Sequence, residues 1–348
     1  MRILYNFWGF LSNRYGISAP DGNASYSPWI VNELTRRGHE VYGGPIDRDL
    51  PVIKDHGLGK SFSGFMTRER IKAYKSIRRD EVCRLPEMDV VLLEWRFPTS
   101  VNTLSKDSPE YNPDLEIQNL LLARYNDRSR IVIMDLDKQL TLEDTKHLRN
   151  VKILSQDEVG LGAPREALRP SLDTLMSKKM SYVGNDYRRR DDIDKKIVPL
   201  SDMFPNEIYF YGNWLREDKD EFRKERPNIN YQGRIGLGEF GEAMTDSLCV
   251  PLLAPEDYRE QGFMTFRIVE TLMFGSVPLG YSDFKGIDKF LPKELIVDST
   301  NEETIVSDSI KIFNKLQIPS ERERLRNEVA DRVSQTNSIE TFVNEVLQ

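Results

Sequence analysis

Arg2-Ile-Leu-Tyr-Asn-Phe7, a loop holding Gly9, Gly16, Pro20 and Gly22, a segment from Ser25 to Arg37 and then His39-Glu-Val-Tyr42 form the stretch on which the fold turns. The first run is short and apolar and reads as an opening strand. The segment from Ser25 to Arg37 reads as a helix, and Gly38 stands where a helix needs a left-handed residue to stop. The next strand begins at His39. A strand, a glycine loop, a helix and a second strand make the repeating unit of a parallel sheet.

Working outward, further apolar runs occur at Asp89-Val-Val-Leu-Leu-Glu-Trp95 and Arg130-Ile-Val-Ile-Met-Asp135, with a helix expected from Leu115 to Asn126 between them and a shorter strand at Val151-Lys-Ile-Leu154. Continuous apolar runs alternating with helices indicate a parallel sheet covered on both faces. The stretch from Gly160 to Lys179, with Gly162, Pro164 and Pro170, lacks a period and reads as a linker. The alternation restarts at Met180-Ser-Tyr-Val-Gly184 and runs through a charged helix to Lys195, then Ile208-Tyr-Phe-Tyr-Gly212, Ile229-Asn-Tyr-Gln-Gly233 and Ser247-Leu-Cys-Val-Pro-Leu-Leu253. A helix from Phe266 to Phe274 and Ser276-Val-Pro-Leu-Gly280 complete it. At 348 residues the chain exceeds the size at which one core keeps growing, so two domains are expected. The expected division is a first α/β domain over 1–170, a second over 171–318, and C-terminal helices over 319–348, around Arg322 to Ser334 and Ile339 to Leu347, bracing the two.

Apolar residues make up 39% and charged residues 30% of the chain, a globular composition with no window apolar enough to span a bilayer. The two cysteines, Cys83 and Cys249, sit in unrelated contexts and argue for neither a disulfide nor a zinc site. His39, His56 and His147 are too scattered for a metal cluster or a triad. A net charge of -7 argues against generalised nucleic-acid binding, yet Thr67 to Arg84 gathers Arg68, Arg70, Lys72, Lys75, Arg78, Arg79 and Arg84, which reads as a basic helix. Taken alone, such a run is a solvated face.

Several constellations could carry chemistry. In Phe263-Met-Thr-Phe-Arg-Ile-Val-Glu-Thr-Leu272, the 3.6 period puts Arg267 and Glu270 on one face of a helix whose other positions are apolar. Such pairs are commonly ordinary surface pairs worth ~0.3 kcal/mol. On a helix this apolar, the charges belong at an open edge of the sheet, where a carboxylate can hold ribose hydroxyls and a guanidinium a diphosphate. Gly184-Asn-Asp-Tyr-Arg-Arg-Arg190 follows a strand directly and offers close backbone approach with positive charge, or else an exposed basic turn neutralised by Asp191, Asp192 and Asp194. Asp135-Leu-Asp137 closes a strand and admits three readings: a metal-binding pair, a general base, or a cap for the following turn. Gly236-Leu-Gly-Glu-Phe-Gly241 matches a dinucleotide fingerprint without its context and reads as a flexible loop.

The segment around Arg267 and Glu270 resembles the helix of T-even phage DNA β-glucosyltransferases, in which an Arg grips the UDP diphosphate and a Glu three residues later holds the ribose. The likeness continues in chain order. Tyr182-Val-Gly-Asn-Asp-Tyr-Arg188 resembles that family's glycine and arginine loop, Phe210-Tyr-Gly-Asn213 its next strand end, and Tyr231-Gln-Gly-Arg234 the turn after that. Arg130 to Asp137 is similar to the strand carrying the family's catalytic aspartate, with Asp137 at the matching position, and Lys152-Ile-Leu-Ser-Gln156 also matches. Arg36-Arg-Gly-His-Glu-Val41 is similar to the first-helix ending of GT-B enzymes generally. The family spaces its two phosphate-binding arginines four apart, whereas Arg188 and Arg190 are two apart here.

The resemblance implies a GT-B fold, two doubly wound Rossmann-like domains facing a central cleft, and an inverting glycosyltransferase. It implies a UDP-sugar donor, UDP-glucose, held by Gly184, Arg188, Arg190, Gly212, Arg267 and Glu270, with Asp137 as the base. The implied acceptor is the hydroxymethyl group of a modified pyrimidine, 5-hydroxymethylcytosine, in double-stranded DNA, flipped out of the helix, with Arg68, Arg78, Arg79 and Arg96 as phosphate contacts. No cofactor is expected to be required, though a divalent metal, Mg or Mn, could stimulate. The alternative is a GT-B enzyme acting on a cell-surface glycan or small molecule. A chain that begins directly as a strand is expected in the cytoplasm, a host's if phage-encoded, as a monomer without membrane contact.

Overall fold

The computed structural model describes residues 1–6, 23–43, 71–73, 82–95, 113–136, 138, 140–155, 160–170, 175–184, 188–212, 219–233, 235 and 240–348. They cluster into two units: one takes residues up to Leu161 together with Ile339–Gln348, and the other runs over Gly162–Ser338.

The first unit contains β1 (Arg2–Asn6), α1 (Asn23–Arg36), β2 (Glu40–Gly43), β3 (Ile71–Ala73), β4 (Val90–Glu94), α2 (Pro113–Tyr125), β5 (Arg130–Asp135), α3 (Leu142–Thr145) and β6 (Val151–Ser155). All six strands are parallel, in the order β3-β2-β1-β4-β5-β6. The chain moves outward from β1 in one direction and from β4 in the other, so the switch point lies between these two strands. Their register places Leu4 beside Val91 and Asn6 beside Leu93. Central strands buried on both faces favour apolar runs, and β4 is buried throughout, apolar from Val90 to Leu93 and closed by Glu94. Helix α1 stops at Gly38, whose φ of +83° is the left-handed conformation that glycine adopts without penalty.

The second unit contains β7 (Lys178–Val183), α4 (Arg190–Lys196), α5 (Val198–Met203), β8 (Ile208–Tyr211), α6 (Lys219–Glu225), β9 (Ile229–Gly233), α7 (Phe240–Thr245) and β10 (Ser247–Pro251). It continues with α8 (Glu256–Gln261), α9 (Arg267–Met273), β11 (Val277–Tyr281), β12 (Ile296–Val297), α10 (Glu302–Leu316) and α11 (Pro319–Thr336). Its parallel sheet has the order β12-β11-β10-β7-β8-β9, with a switch point between β7 and β10.

The last helix, α12 (Ile339–Leu347), belongs to the first unit and α11 to the second. Arg37 donates to Asn344 Oδ1 at 2.5 Å and to the Glu340 carbonyl at 3.1 Å, Lys152 meets Glu345 at 2.7 Å, and Arg130 donates to the Val346 carbonyl. Ile339, Phe342, Val343 and Val346 are buried. Helix α10, which the sequence reading passed over, is capped by Asn301, whose side chain accepts from the Thr304 amide at 2.9 Å.

One expectation is corrected. The basic run from Thr67 to Arg84 is not one helix, because Ile71–Ala73 is a strand paired in parallel with Val41–Gly43. The backbone of that segment finds an open sheet edge, and the spacing of its charges carries no information about such a pairing. Among the described residues no helix is long and apolar enough to cross a membrane.

Candidate functional site

In the second unit, β7 and β8 each run directly into a glycine, Gly184 and Gly212, and β9 ends on one, Gly233. The Gly184 amide donates to the Tyr211 carbonyl and the Gly212 amide to the Gly233 carbonyl, both at 2.8 Å. Gly212 has φ +150°, and a Cβ placed on it would lie 1.6 Å from the Gly184 carbonyl oxygen. Tyr231 donates its hydroxyl to the Gly212 carbonyl at 3.1 Å. The two glycines singled out in the sequence therefore touch through their backbones, making a main-chain ledge at the carboxyl edge of the sheet. Such a ledge lets a ligand approach main-chain atoms. Gly233, φ +79°, is its third member.

The arginines follow the first glycine. Arg188 is exposed and left-handed, φ +57°, one of three non-glycine residues with positive φ among those described. An arginine in this region costs about 1–2 kcal/mol, and such strain concentrates at functional sites. Its guanidinium lies 2.7 Å from Asp257 at the start of α8, and that of Arg190, the first residue of α4, lies 3.3 Å from Glu225. The acids next to the arginines are used elsewhere. Asp192 is buried and accepts from Arg259, Lys196 lies 3.1 Å from Asp192 and 2.7 Å from Asp283, and Arg226 meets Asp194 at 2.8 Å. Burial holds the Lys196 ammonium below its ordinary pKa, with Asp283 opposing that shift. These pairs tie α4 to α8 and to the turn after β11, and give Asp192 and Asp194 structural partners outside the arginine turn.

Arg267 and Glu270 stand at the N-terminal end of α9, 2.9 Å apart, with side-chain exposures of 24% and 5%. Every other residue from Ile268 to Met273 is buried, including Thr271, whose hydroxyl donates to the Arg267 carbonyl at 2.7 Å. In a parallel crossover a helix runs antiparallel to the strands, so its N-terminal end lies at their carboxyl edge. Arg267, Glu270, the arginine turn and the glycine ledge consequently share one edge, around the switch point between β7 and β10. A pair on an enclosed helix is not the solvated surface pair that the spacing alone would suggest.

Gly241, the last glycine of the fingerprint-like loop, lies in α7, where a Cβ would come 2.7 Å from the Phe274 ring; it is a packing glycine, and residues 236–239 lie outside the described residues.

In the first unit, Asp135 is buried at the end of β5 and accepts from the Leu140 amide at 3.2 Å, while Asp144 accepts from the Thr141 amide and hydroxyl at 2.7 Å. Asp135 thus fixes the turn that leads to α3. Asp137 lies outside the described residues, as do Arg68, Arg78, Arg79 and Arg96. Lys138, beside Asp137, is left-handed with φ +51°. The edge of this unit also holds buried polar groups that the sequence reading did not single out. Tyr26 donates to Glu94, which is 1% exposed at the end of β4, and Asn6 closes β1 at 4% exposure. A lone acid ending the run Val90–Glu94 was the available signal. Among the described residues no three His, Cys, Asp or Glu side chains gather to hold a metal ion.

No protein-family description matches the chain, and no curated protein sequence matches it. Solved structures do. A mutant T4 phage β-glucosyltransferase in complex with UDP-glucose is similar over 99% of both chains, with a TM-score of 0.60 at 13% identity. The T4 phage enzyme in complex with UDP and Mn2+ gives 0.58 at 13% identity over 99% of both chains. Anabaena Alr3699/HepE in complex with UDP and glucose gives 0.55 at 10% identity, over 100% of this chain and 98% of that one. AviGT4, a glycosyltransferase involved in avilamycin A biosynthesis, gives 0.55 at 10% identity, over 99% and 97%. With its two parallel sheets and this likeness along its whole length, the chain has the two-domain α/β fold of the GT-B glycosyltransferases and resembles T4 phage β-glucosyltransferase in particular.

Proposed function

We propose that the chain is an inverting glycosyltransferase that moves a sugar, glucose, from a UDP-sugar to the hydroxymethyl group of a modified pyrimidine, 5-hydroxymethylcytosine, in double-stranded DNA. The observation that carries this reading is the edge of the second unit, where Arg267 and Glu270 open a buried helix at the same carboxyl edge of the sheet as the Gly184–Gly212 ledge. Glu270 accepts hydrogen bonds from the ribose, and Arg267, Arg188 and Arg190 take the diphosphate. UDP-glucose in one similar structure, and UDP with glucose in another, support the choice of donor.

In the proposed reaction Asp137 takes the proton of the acceptor hydroxyl, and that oxygen attacks the anomeric carbon from the side opposite the diphosphate. The bond from carbon to diphosphate oxygen breaks, the configuration inverts, and UDP leaves with the electron pair. The three arginines meet the charge that develops on the leaving group. Mg2+ or Mn2+ is assigned a stimulatory part through the diphosphate, and no step depends on it; the similar T4 enzyme structure with UDP and Mn2+ supports that assignment. Arg68, Arg78, Arg79 and Arg96 are proposed contacts to DNA phosphates.

A second acceptor class, a glycan or small molecule, is favoured by the net charge of -7, since phosphate-binding enzymes usually carry a basic footprint. The two readings separate when the protein is incubated with hydroxymethylated DNA and a panel of UDP-sugars and the DNA is digested to nucleosides for mass analysis. A hexose added to the hydroxymethylated base supports the DNA acceptor; its absence from every hydroxymethylated base, with UDP released onto glycan acceptors, establishes the second class.

A further inference from the structure

Among the polar side chains at the carboxyl edge of the first unit's sheet that are at least nine-tenths buried are Asn6 at 4%, Trp95 at 1% and Gln118 at 2% exposure. Asn6 Oδ1, Trp95 Nε1 and Gln118 Nε2 have no hydrogen-bond partner among the described residues. Native proteins satisfy nearly all buried polar atoms, and each exception calls for a cause, such as a ligand that completes it.

The three are placed together by the fold. Asn6 closes β1 and lies beside Leu93 of β4 in the parallel register, so the two project to the same face. Trp95 follows two residues after Leu93 and returns to that face, and both belong to one core cluster with Leu4, Leu121 and Leu122. Gln118 lies three and four residues before Leu121 and Leu122, on the stripe of α2 that covers this cluster, one turn nearer the helix N-terminus and hence nearer the carboxyl edge. All three therefore border the crevice at the switch point between β1 and β4, where ligands of open α/β sheets bind.

We propose that Asn6, Trp95 and Gln118 form the acceptor-base subsite of the first unit and read the Watson–Crick edge of a flipped pyrimidine. The inference rests on the DNA-glucosylating reading above. An indole N–H can only donate, whereas a carboxamide presents one donating and one accepting end. The ligand must bring an acceptor to Trp95 and both kinds of group to the two amides. A pyrimidine's ring carbonyl, ring nitrogen and C4 substituent supply that mixture in one plane. None of the three side chains is charged, which suits a neutral heterocycle and not a phosphate. Enzymes that act on a flipped base read it by hydrogen bonds along this edge, with aromatic and apolar walls around it.

The test compares the wild type with Trp95→Phe and Gln118→Met, which remove a donor while keeping most of the packing volume. Transfer from UDP-glucose to duplex DNA containing 5-hydroxymethylcytosine is measured together with UDP-glucose binding and thermal melting. Each variant is expected to raise the KM for the DNA about tenfold, with UDP-glucose affinity and Tm close to wild type. Wild-type KM for the DNA in both variants overturns the subsite and leaves the transferase reading intact. Joint loss of donor binding and Tm overturns it too, because it makes these residues ordinary core. Absence of transfer to DNA by the wild type overturns the DNA-acceptor reading and the subsite with it.

Discussion

Gly212 and Gly184 meet backbone to backbone: a Cβ on Gly212 would stand 1.6 Å from the Gly184 carbonyl oxygen, and Gly212 holds φ +150°. No rotamer relieves a clash with main chain. Gly212→Ala is expected to lower stability by about 2–3 kcal/mol and to part the ends of β7 and β8. Chemical denaturation would show the loss, and titration with UDP would show weaker binding. Wild-type values for both would disprove the ledge as a constraint.

Arg188 is held left-handed at some cost to the fold. Arg188→Gly relieves that strain while giving back chain entropy, so a change in stability of about 1 kcal/mol or less, towards greater stability, is expected. The same change should raise the KM for UDP-sugar at least tenfold. Paired Tm and kinetic measurements would reveal this trade-off. A destabilised protein with unaltered KM would contradict it.

Glu270 is nearly enclosed beside Arg267. Glu270→Gln keeps the shape and loses the charge, so UDP affinity should fall by about tenfold through the weakened ribose contact. Arg267→Met should cost more, on the order of 100-fold, since it removes a guanidinium from the diphosphate. Calorimetric titration with UDP and with uridine separates the two: uridine binding should respond to the Glu270 change and hardly to the Arg267 change.

Asp135 and Asp137 are two residues apart and are expected to behave oppositely. Asp135 accepts from the Leu140 amide and is buried, so Asp135→Ala should lower stability by about 1–2 kcal/mol and leave correctly folded protein active. Asp137→Asn should leave UDP-glucose binding intact and slow transfer by 100-fold or more, as loss of a general base does. Rapid transfer by the Asp137 variant would remove it from the mechanism.

Glu33 links helix α1 to the returning tail. It accepts from Arg36 and Arg37 at 2.7 Å, and Arg37 in turn holds Asn344 and Glu340 of α12. Burial raises the Glu33 pKa, but the hydrogen bonds and charges of the two arginines outweigh it and hold the carboxyl below its ordinary value of 4.5. A carboxyl depressed in the folded state contributes stability above its unfolded pKa, and that contribution disappears as pH falls through the folded value. The wild type should therefore lose stability as pH falls below 4.5 that Glu33→Gln, already lacking it, does not lose. Urea melts of both proteins from pH 7 to pH 3 would test this.

The order of strands and helices was legible in the chain because each strand of a parallel sheet is a short apolar run and each stop is marked locally, as Gly38 marks the end of α1. The pairing of Arg267 with Glu270 was legible for the same reason, since residues three apart on a helix must meet. What tertiary structure decided was which groups stand together across the sheet. Gly184 and Gly212 come from different strands, and only their parallel pairing brings one backbone against the other. Asp192, Asp194 and the three arginines before them form one charged run in sequence, yet burial of α4 assigns the acids to Arg259, Lys196 and Arg226 and leaves Arg188 with Asp257. The strand at Ile71–Ala73 owes its state to the open edge of β2, a partner about 30 residues away that no local period can announce. Asn6, Trp95 and Gln118 lie far apart along the chain, and only the register of β1 against β4 beneath α2 places them on one face.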